Sequence, residues 1–203
     1  NFSADGINWT GLGSSIFSVS GHKSAYNGSM WVAAGWGTNA LAYSTDGINW
    51  TGLGAIFNVW GRSASWNGSY WLACGYGSNA PGIYKSTDGI SWTAAGGNGN
   101  IMQAAWNGST WVVVQNNGGG VVGSGNHTIA TSTNGTTWTG QGQVFANSGN
   151  DVAWNGSVWV AVGDSNGGTS IAYTTNTAGT SGWTAAVSPF STRASGVAWN
   201  GSI

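Results

Sequence analysis

Ser44-Thr45-Asp46-Gly47-Ile48-Asn49-Trp50 is the stretch on which the fold turns, because the chain writes it again and again. Close copies are Ser3-Ala4-Asp5-Gly6-Ile7-Asn8-Trp9 and Ser86-Thr87-Asp88-Gly89-Ile90-Ser91-Trp92. A relaxed copy is Ser132-Thr133-Asn134-Gly135-Thr136-Thr137-Trp138, and a looser stretch ends at Trp183. A second, independent anchor is Asn-Gly-Ser, which begins at Asn27, Asn67, Asn107, Asn155 and Asn200. The two anchors alternate in a fixed order. The tryptophans step by 41, 42, 46 and 45 residues and the asparagines by 40, 40, 48 and 45. One supersecondary unit is therefore repeated along the chain.

A period of about 40–50 residues suits a blade of four strands. Strand A ends in an aromatic before Asn-Gly, as in Val152-Ala153-Trp154. Asn-Gly is read as a two-residue hairpin turn with both central residues at positive φ. Strand B follows, as in Val158-Trp159-Val160-Ala161-Val162, rich in β-formers. A variable loop leads to strand C, as in Ile171-Ala172-Tyr173, and strand D lies around the second tryptophan, as in Ile48-Asn49-Trp50-Thr51. Pro81 and Pro189 fall in loops, where a missing N–H costs a ladder nothing. The expected fold is all-β: a β-propeller of four-stranded antiparallel blades, forming a single domain over 1–203. Blades are expected at about 18–53, 57–95, 101–141 and 149–187, with a last, incomplete one from 195–203 plus 1–12. The chain is expected to be a segment of a longer propeller whose frame runs past Ile203, or a five-bladed ring with a defective last blade.

The Ser-x-Asp-Gly-x-x-Trp turn resembles the Asp-box of the sialidase-like (BNR) propeller superfamily, and as a repeat the resemblance covers nearly the whole chain. Asp or Asn accepts backbone N–H groups within its own turn, Gly relieves the tight backbone and Trp covers it. Asp5, Asp46, Asp88 and Asn134 are read as turn chemistry, because the drift to Asn134 discards the charge and keeps the turn. The enzymes of the superfamily use an arginine cluster, an acidic general acid and a Tyr–Glu pair. This chain has two arginines, Arg62 and Arg193, and no glutamate. Glycoside hydrolysis usually needs two carboxylates, and only Asp151 and Asp164 lie outside the box motif. The resemblance therefore implies a non-catalytic member, not an enzyme.

Composition narrows the partners. The chain holds 15 Trp and 37 Gly among 203 residues, but only 4% charged residues, against about 25% in ordinary domains. That aromatic content argues for a packed fold over disorder. A net charge of -1 with no basic stripe excludes a nucleic-acid footprint, and no apolar run is long enough for a membrane span. Cys74 is single, and His22 and His127 lie in different repeats, so neither a disulfide, a metal site nor a cofactor is implied. Low charge and abundant Ser, Thr, Asn and Gly fit an extracellular or surface-exposed protein: secreted, on a cell surface or on a virion.

Function is expected in the residues that break the repeat. The A–B turns and box turns fall on one face, and the variable B–C and D–A loops on the other, the longest near Gln115–His127. His22, Lys23, Arg62, Asp151 and Arg193 sit three to six residues before the strand-A aromatic, facing the mouth of a central channel, and Asp164 lies in a B–C loop. Strand positions absorb 13 of the 15 tryptophans; Trp36 and Trp60 remain, both placed on variable loops, with Tyr76 at the place of Trp36 in the next repeat. The expected function is structural or adhesive interaction with a protein surface, within a larger assembly. An alternative is a lectin-like propeller binding a glycan near Trp36, Trp60 and Arg62. A third, the remnant of an Asp-box glycosidase, is opposed by the residue inventory above.

Overall fold

The computed structural model describes residues 2–78, 80–116, 125–165 and 168–202. Most of the longest B–C loop, 117–124, lies outside the described residues. Among the described residues there is no helix, and the strands form four antiparallel groups of four. Sheet I holds β1 (Ser20–Tyr26), β2 (Trp31–Trp36), β3 (Leu41–Ser44) and β4 (Thr51–Gly52). Sheet II holds β5 (Trp60–Trp66), β6 (Trp71–Tyr76), β7 (Pro81–Ser86) and β8 (Thr93–Asn98). Sheet III holds β9 (Ile101–Trp106), β10 (Trp111–Gln115), β11 (Ile129–Ser132) and β12 (Thr139–Gly140). Sheet IV holds β13 (Gly149–Trp154), β14 (Trp159–Gly163), β15 (Ile171–Thr174) and β16 (Thr184–Ala185). In each sheet the strands pair in chain order, and the Trp36–Trp60 pair joins sheets I and II at one end.

Period-2 alternation assigns each sheet its neighbours. In β6, Trp71 and Ala73 pack towards sheet I, while Leu72 and Cys74 pack towards sheet III. In β10, Trp111 and Val113 face sheet II, while Val112 and Val114 face sheet IV. Trp159 and Ala161 of β14 face sheet III in turn. The tryptophan that opens the second strand of sheets II, III and IV is thus the wedge towards the preceding sheet. It stacks on the aromatic that ends the first strand, in the pairs Tyr26–Trp31, Trp66–Trp71, Trp106–Trp111 and Trp154–Trp159 at 4.7–5.2 Å between centroids. The first strands β1, β5, β9 and β13 pack side by side in that order.

The Asn-Gly-Ser turn differs from the hairpin read from sequence. Tyr26 pairs with Trp31, and Asn27 N donates to Met30 O, so Gly28 and Ser29 are the central residues. Only glycine there has positive φ (Gly28, +100°). Asn27 stands before the turn, and its Oδ1 accepts the N–H groups of Ser29 and Met30 at 2.9 and 2.8 Å. The pattern recurs at Asn67, Asn107 and Asn155. Asparagine is used for its side-chain acceptor, not for a left-handed backbone.

Strand D is also displaced. Ile48 and Asn49 are not strand: their N–H groups are donated to Asp46 Oδ1 at 2.8 and 2.7 Å, which withholds them from any ladder, and β4 starts only at Thr51. Ser44 Oγ donates to the same carboxylate oxygen and accepts from Gly47 N, while Trp50 Nε1 donates to Gly47 O. Asn134 makes the same pair of backbone bonds without a charge, to Thr136 N and Thr137 N at 2.9 and 2.8 Å. Pro81 begins β7 and is not a loop residue; the first position of a strand tolerates its missing donor. Near the first and last residues given, Phe2 and Thr10 bridge around the turn at Ser3–Trp9, whereas 195–200, in the expected last blade, forms no ladder among the described residues.

Candidate functional site

Each first strand carries a β-bulge at one repeated place. Gly21 pairs with Gly35 and Lys23 with Ala34, leaving His22 unpaired. Arg62 is skipped between Gly61 and Ser63, Met102 between Ile101 and Gln103, and Asn150 between Gly149 and Asp151. A bulge bends its strand and re-aims one side chain. Here the four side chains line a cavity of ≈ 450 Å³, with Lys23, Gln103, Asp151, Arg193 and Ser195 completing its wall. Arg62, Met102, Asn150 and Arg193 also line an adjoining cavity of ≈ 250 Å³, beside Asp164.

The charges in this mouth are mostly spent on one another. Lys23 Nζ reaches Asp151 Oδ1 at 3.0 Å, from sheet I to sheet IV, and Asp151 Oδ2 accepts Val197 N at 3.2 Å. Arg193 Nε lies 3.3 Å from Asp164 Oδ1, whose carboxylate also accepts from Asn150 Nδ2 and Ser148 Oγ. His22 bonds the Gly61 carbonyl at 2.6 Å through Nδ1 and Ser20 Oγ at 2.9 Å through Nε2. Arg62 is the exception. Its guanidinium lies 4.7 Å from the Trp60 ring centroid, and its buried Nε has no acceptor among the described residues. Burial, and then the nearby Arg193 charge, lower its pKa. Gln103 Oε1 is buried without a partner among the described residues. Three cations face two carboxylates here, so one guanidinium, that of Arg62, is left without a carboxylate among the described residues.

The sequence-selected residues separate into two groups. His22, Lys23, Arg62, Asp151, Asp164 and Arg193 converge on the mouth, though His22, Lys23, Arg62 and Asp151 lie within strands rather than loops. Trp36, Trp60 and Tyr76 are not loop residues either: they end or begin β2, β5 and β6 because Trp36 pairs with Trp60 and Trp60 with Tyr76. Their rings form a run, Trp36–Trp60 at 5.5 Å edge-on and Trp60–Tyr76 at 5.3 Å, with Arg62 on Trp60; Trp36 stays 40% exposed. Sequence reading passed over Met102, Gln103 and Asn150. The signal for two of them was present: His22, Arg62, Met102 and Asn150 each stand five residues before the Asn of Asn-Gly-Ser. Among the described residues, no three His, Cys, Asp or Glu side chains gather as a metal site.

No protein-family model matches the sequence, and no curated protein matches it. Solved structures do. An extracellular domain assigned to a one-component system of Bacteroides thetaiotaomicron superposes with a TM-score of 0.58 at 9% identity, over 81% of this chain and 22% of that one. A structural-genomics protein of unknown function from the same organism gives 0.55 at 13% identity, over 78% of this chain and 42% of that one. The chain thus spans less than half the length of either neighbour, and at these identities the likeness is one of fold.

Proposed function

We propose that this chain is a non-catalytic interaction module of a surface-exposed or extracellular protein, built as an Asp-box β-propeller or a segment of one. One observation carries the non-catalytic reading: every carboxylate is already committed. Asp5, Asp46 and Asp88 each accept two backbone N–H groups inside their own turns. Asp151 and Asp164 are held in ion pairs. General acid–base work needs a carboxyl with a free proton path, and nucleophilic work an unencumbered oxygen. The propeller reading is supported by first strands that succeed one another beside a common cavity and by sheets that meet face to face in sequence. The extracellular reading is supported by composition and by the extracellular domain among the fold neighbours.

The partner is a protein surface, taken at the mouth where Arg62 has no carboxylate partner among the described residues. A second reading, glycan binding, is favoured by the Trp36–Trp60–Tyr76 run, because an exposed indole beside polar loop groups can stack on a sugar face. The test is a glycan array read beside an aryl-glycoside hydrolysis panel. No turnover is expected. Turnover that Asp151→Asn abolishes would overturn the non-catalytic reading. An array hit lost in Trp36→Ala would select the glycan; a silent array with an intact fold leaves the protein partner.

A further inference from the structure

The dipeptide Asn-Gly occurs nine times in this chain. Two copies, at 117 and 166, lie outside the described residues. All carry the same latent chemistry. The glycine nitrogen gives its proton to solvent base and attacks the asparagine Cγ. The new C–N bond closes a five-membered succinimide as the Cγ–Nδ2 bond breaks and ammonia leaves. Water then opens the ring, at one carbonyl to an aspartyl residue and at the other to an isoaspartyl residue. Glycine favours this reaction because no Cβ shields its nitrogen and its backbone turns freely. Whether a given copy reacts depends on whether its carboxamide can rotate to face that nitrogen.

Six of the seven described copies hold the carboxamide still. Asn27, Asn67, Asn107 and Asn155 each accept two backbone N–H groups through Oδ1, at 2.7–3.0 Å. Asn107 also donates its Nδ2 to Thr177 O at 2.6 Å. Asn134 accepts Thr136 N and Thr137 N, and Asn200 accepts Ser202 N. Rotating any of these amides towards the glycine nitrogen breaks the bonds that shape its turn. Asn98-Gly99 is different. Asn98 closes β8 opposite Pro81, is exposed, and its side chain has no hydrogen-bond partner among the described residues. It stands among Gly96, Gly97 and Gly99, at φ +112°, +75° and +126°, so no adjacent side chain confines it.

We infer that Asn98 is a site of spontaneous covalent modification: the folded protein deamidates there, while the fold protects the same dipeptide in its turns. The change adds one negative charge to a chain of net charge -1. The isoaspartyl form also inserts a methylene into the main chain between β8 and β9. Asn100, two residues on, lines the smaller cavity with Arg62, so the new carboxylate arrives near the mouth. The inference stands whatever the mouth binds.

Site-resolved peptide mapping tests this. The folded chain is held in mildly alkaline buffer, sampled over time and digested, and the Asn, aspartyl and isoaspartyl forms of each Asn-Gly peptide are quantified by chromatography and mass spectrometry. A parallel sample is held in denaturing urea. Freeing two side-chain bonds should slow the turn copies by about 30-fold. In the folded chain, conversion at Asn98 should therefore lead that at Asn27, Asn67, Asn107 and Asn155 by about that factor. In urea the lead should collapse, because every copy then has a free carboxamide and a glycine beside it. Conversion at Asn98 no faster than at those four in the folded chain overturns the inference. So does a lead that persists unchanged in urea, which would assign it to local sequence and not to the fold.

Discussion

Truncating Phe57 is the sharpest test of how the sheets are joined. Phe57 lies on the segment between β4 and β5, fully buried, with its ring edge-on to Tyr84 at 5.1 Å. It packs against Gly75 so closely that a Cβ there would lie 2.8 Å from the ring. Phe→Ala at such a site removes the transfer free energy of the ring and leaves a cavity, costing about 3–5 kcal/mol. Phe17, the equivalent on sheet I, is only half-buried, since no sheet among the described residues covers that side, and its truncation should cost about half as much. With a urea m-value on the order of 2–3 kcal/mol/M, the Phe57→Ala midpoint should fall by roughly 1–2 M and that of Phe17→Ala by under about 1 M. Equilibrium urea unfolding followed by tryptophan fluorescence reads both. An unchanged m-value would show that stability itself has moved. Equal shifts for the two variants, or a Phe57→Ala midpoint within about 0.3 M of wild type, would refute the junction geometry. Gly75→Ala should be at least as damaging, and Phe57→Ala should not rescue it, because the new methyl also meets the Trp60 carbonyl oxygen.

Asp88→Asn should melt close to wild type at pH 7, as Asn134 already makes the same backbone bonds, whereas Asp88→Ala should melt lower by differential scanning calorimetry. The N–H groups of Ser91 and Ile90, then the Ser86 hydroxyl, hold the Asp88 carboxyl well below the ordinary range. A lowered folded-state pKa stabilises above the unfolded value near 3.9 and is lost as pH falls below it, so melting temperature should drop from about pH 4 downward, less steeply in Asp88→Asn. Burial pushes the Cys74 thiol up to about 12, so a thiol reagent should label it only on unfolding; rapid labelling of the native protein would contradict its place between sheets II and III. Lys23→Ala should cost under about 1 kcal/mol, since the lysine is solvent-screened. Asp151→Ala should cost more, because it strands both Lys23 and the Val197 N–H, and matching urea midpoints for the two would argue against that.

The all-β class and the four-stranded unit were legible in the sequence because their causes are local. Alternation of Trp71-Leu72-Ala73-Cys74 fixes which side chains share a face. Asn67 and Asp88 find their acceptor bonds within three residues of themselves. Phe17, Phe57, Phe145 and Phe190 each stand ten residues before the Asn of Asn-Gly-Ser, so the inter-sheet phenylalanine could also have been read by aligning the repeats. The turn that looked like Asn-Gly proved to be Gly-Ser, because an asparagine outside the turn gives nearly the same sequence pattern as one inside it.

What only tertiary structure decided concerns contacts between repeats. Which residue of Gly-Arg62-Ser or Gly-His22-Lys is squeezed out of the ladder depends on the strand opposite, since a bulge is a property of a pair. The joining of Lys23 to Asp151, 128 residues apart, follows from how sheets I and IV are set beside one cavity. That Arg62 lacks a carboxylate among the described residues while Arg193 has one could not be read from spacing, because both precede a tryptophan at similar distance. The sequence by itself determined the repeated unit, its turns and its faces, all set within one period. The packing of one unit on the next determined which of the variable residues meet.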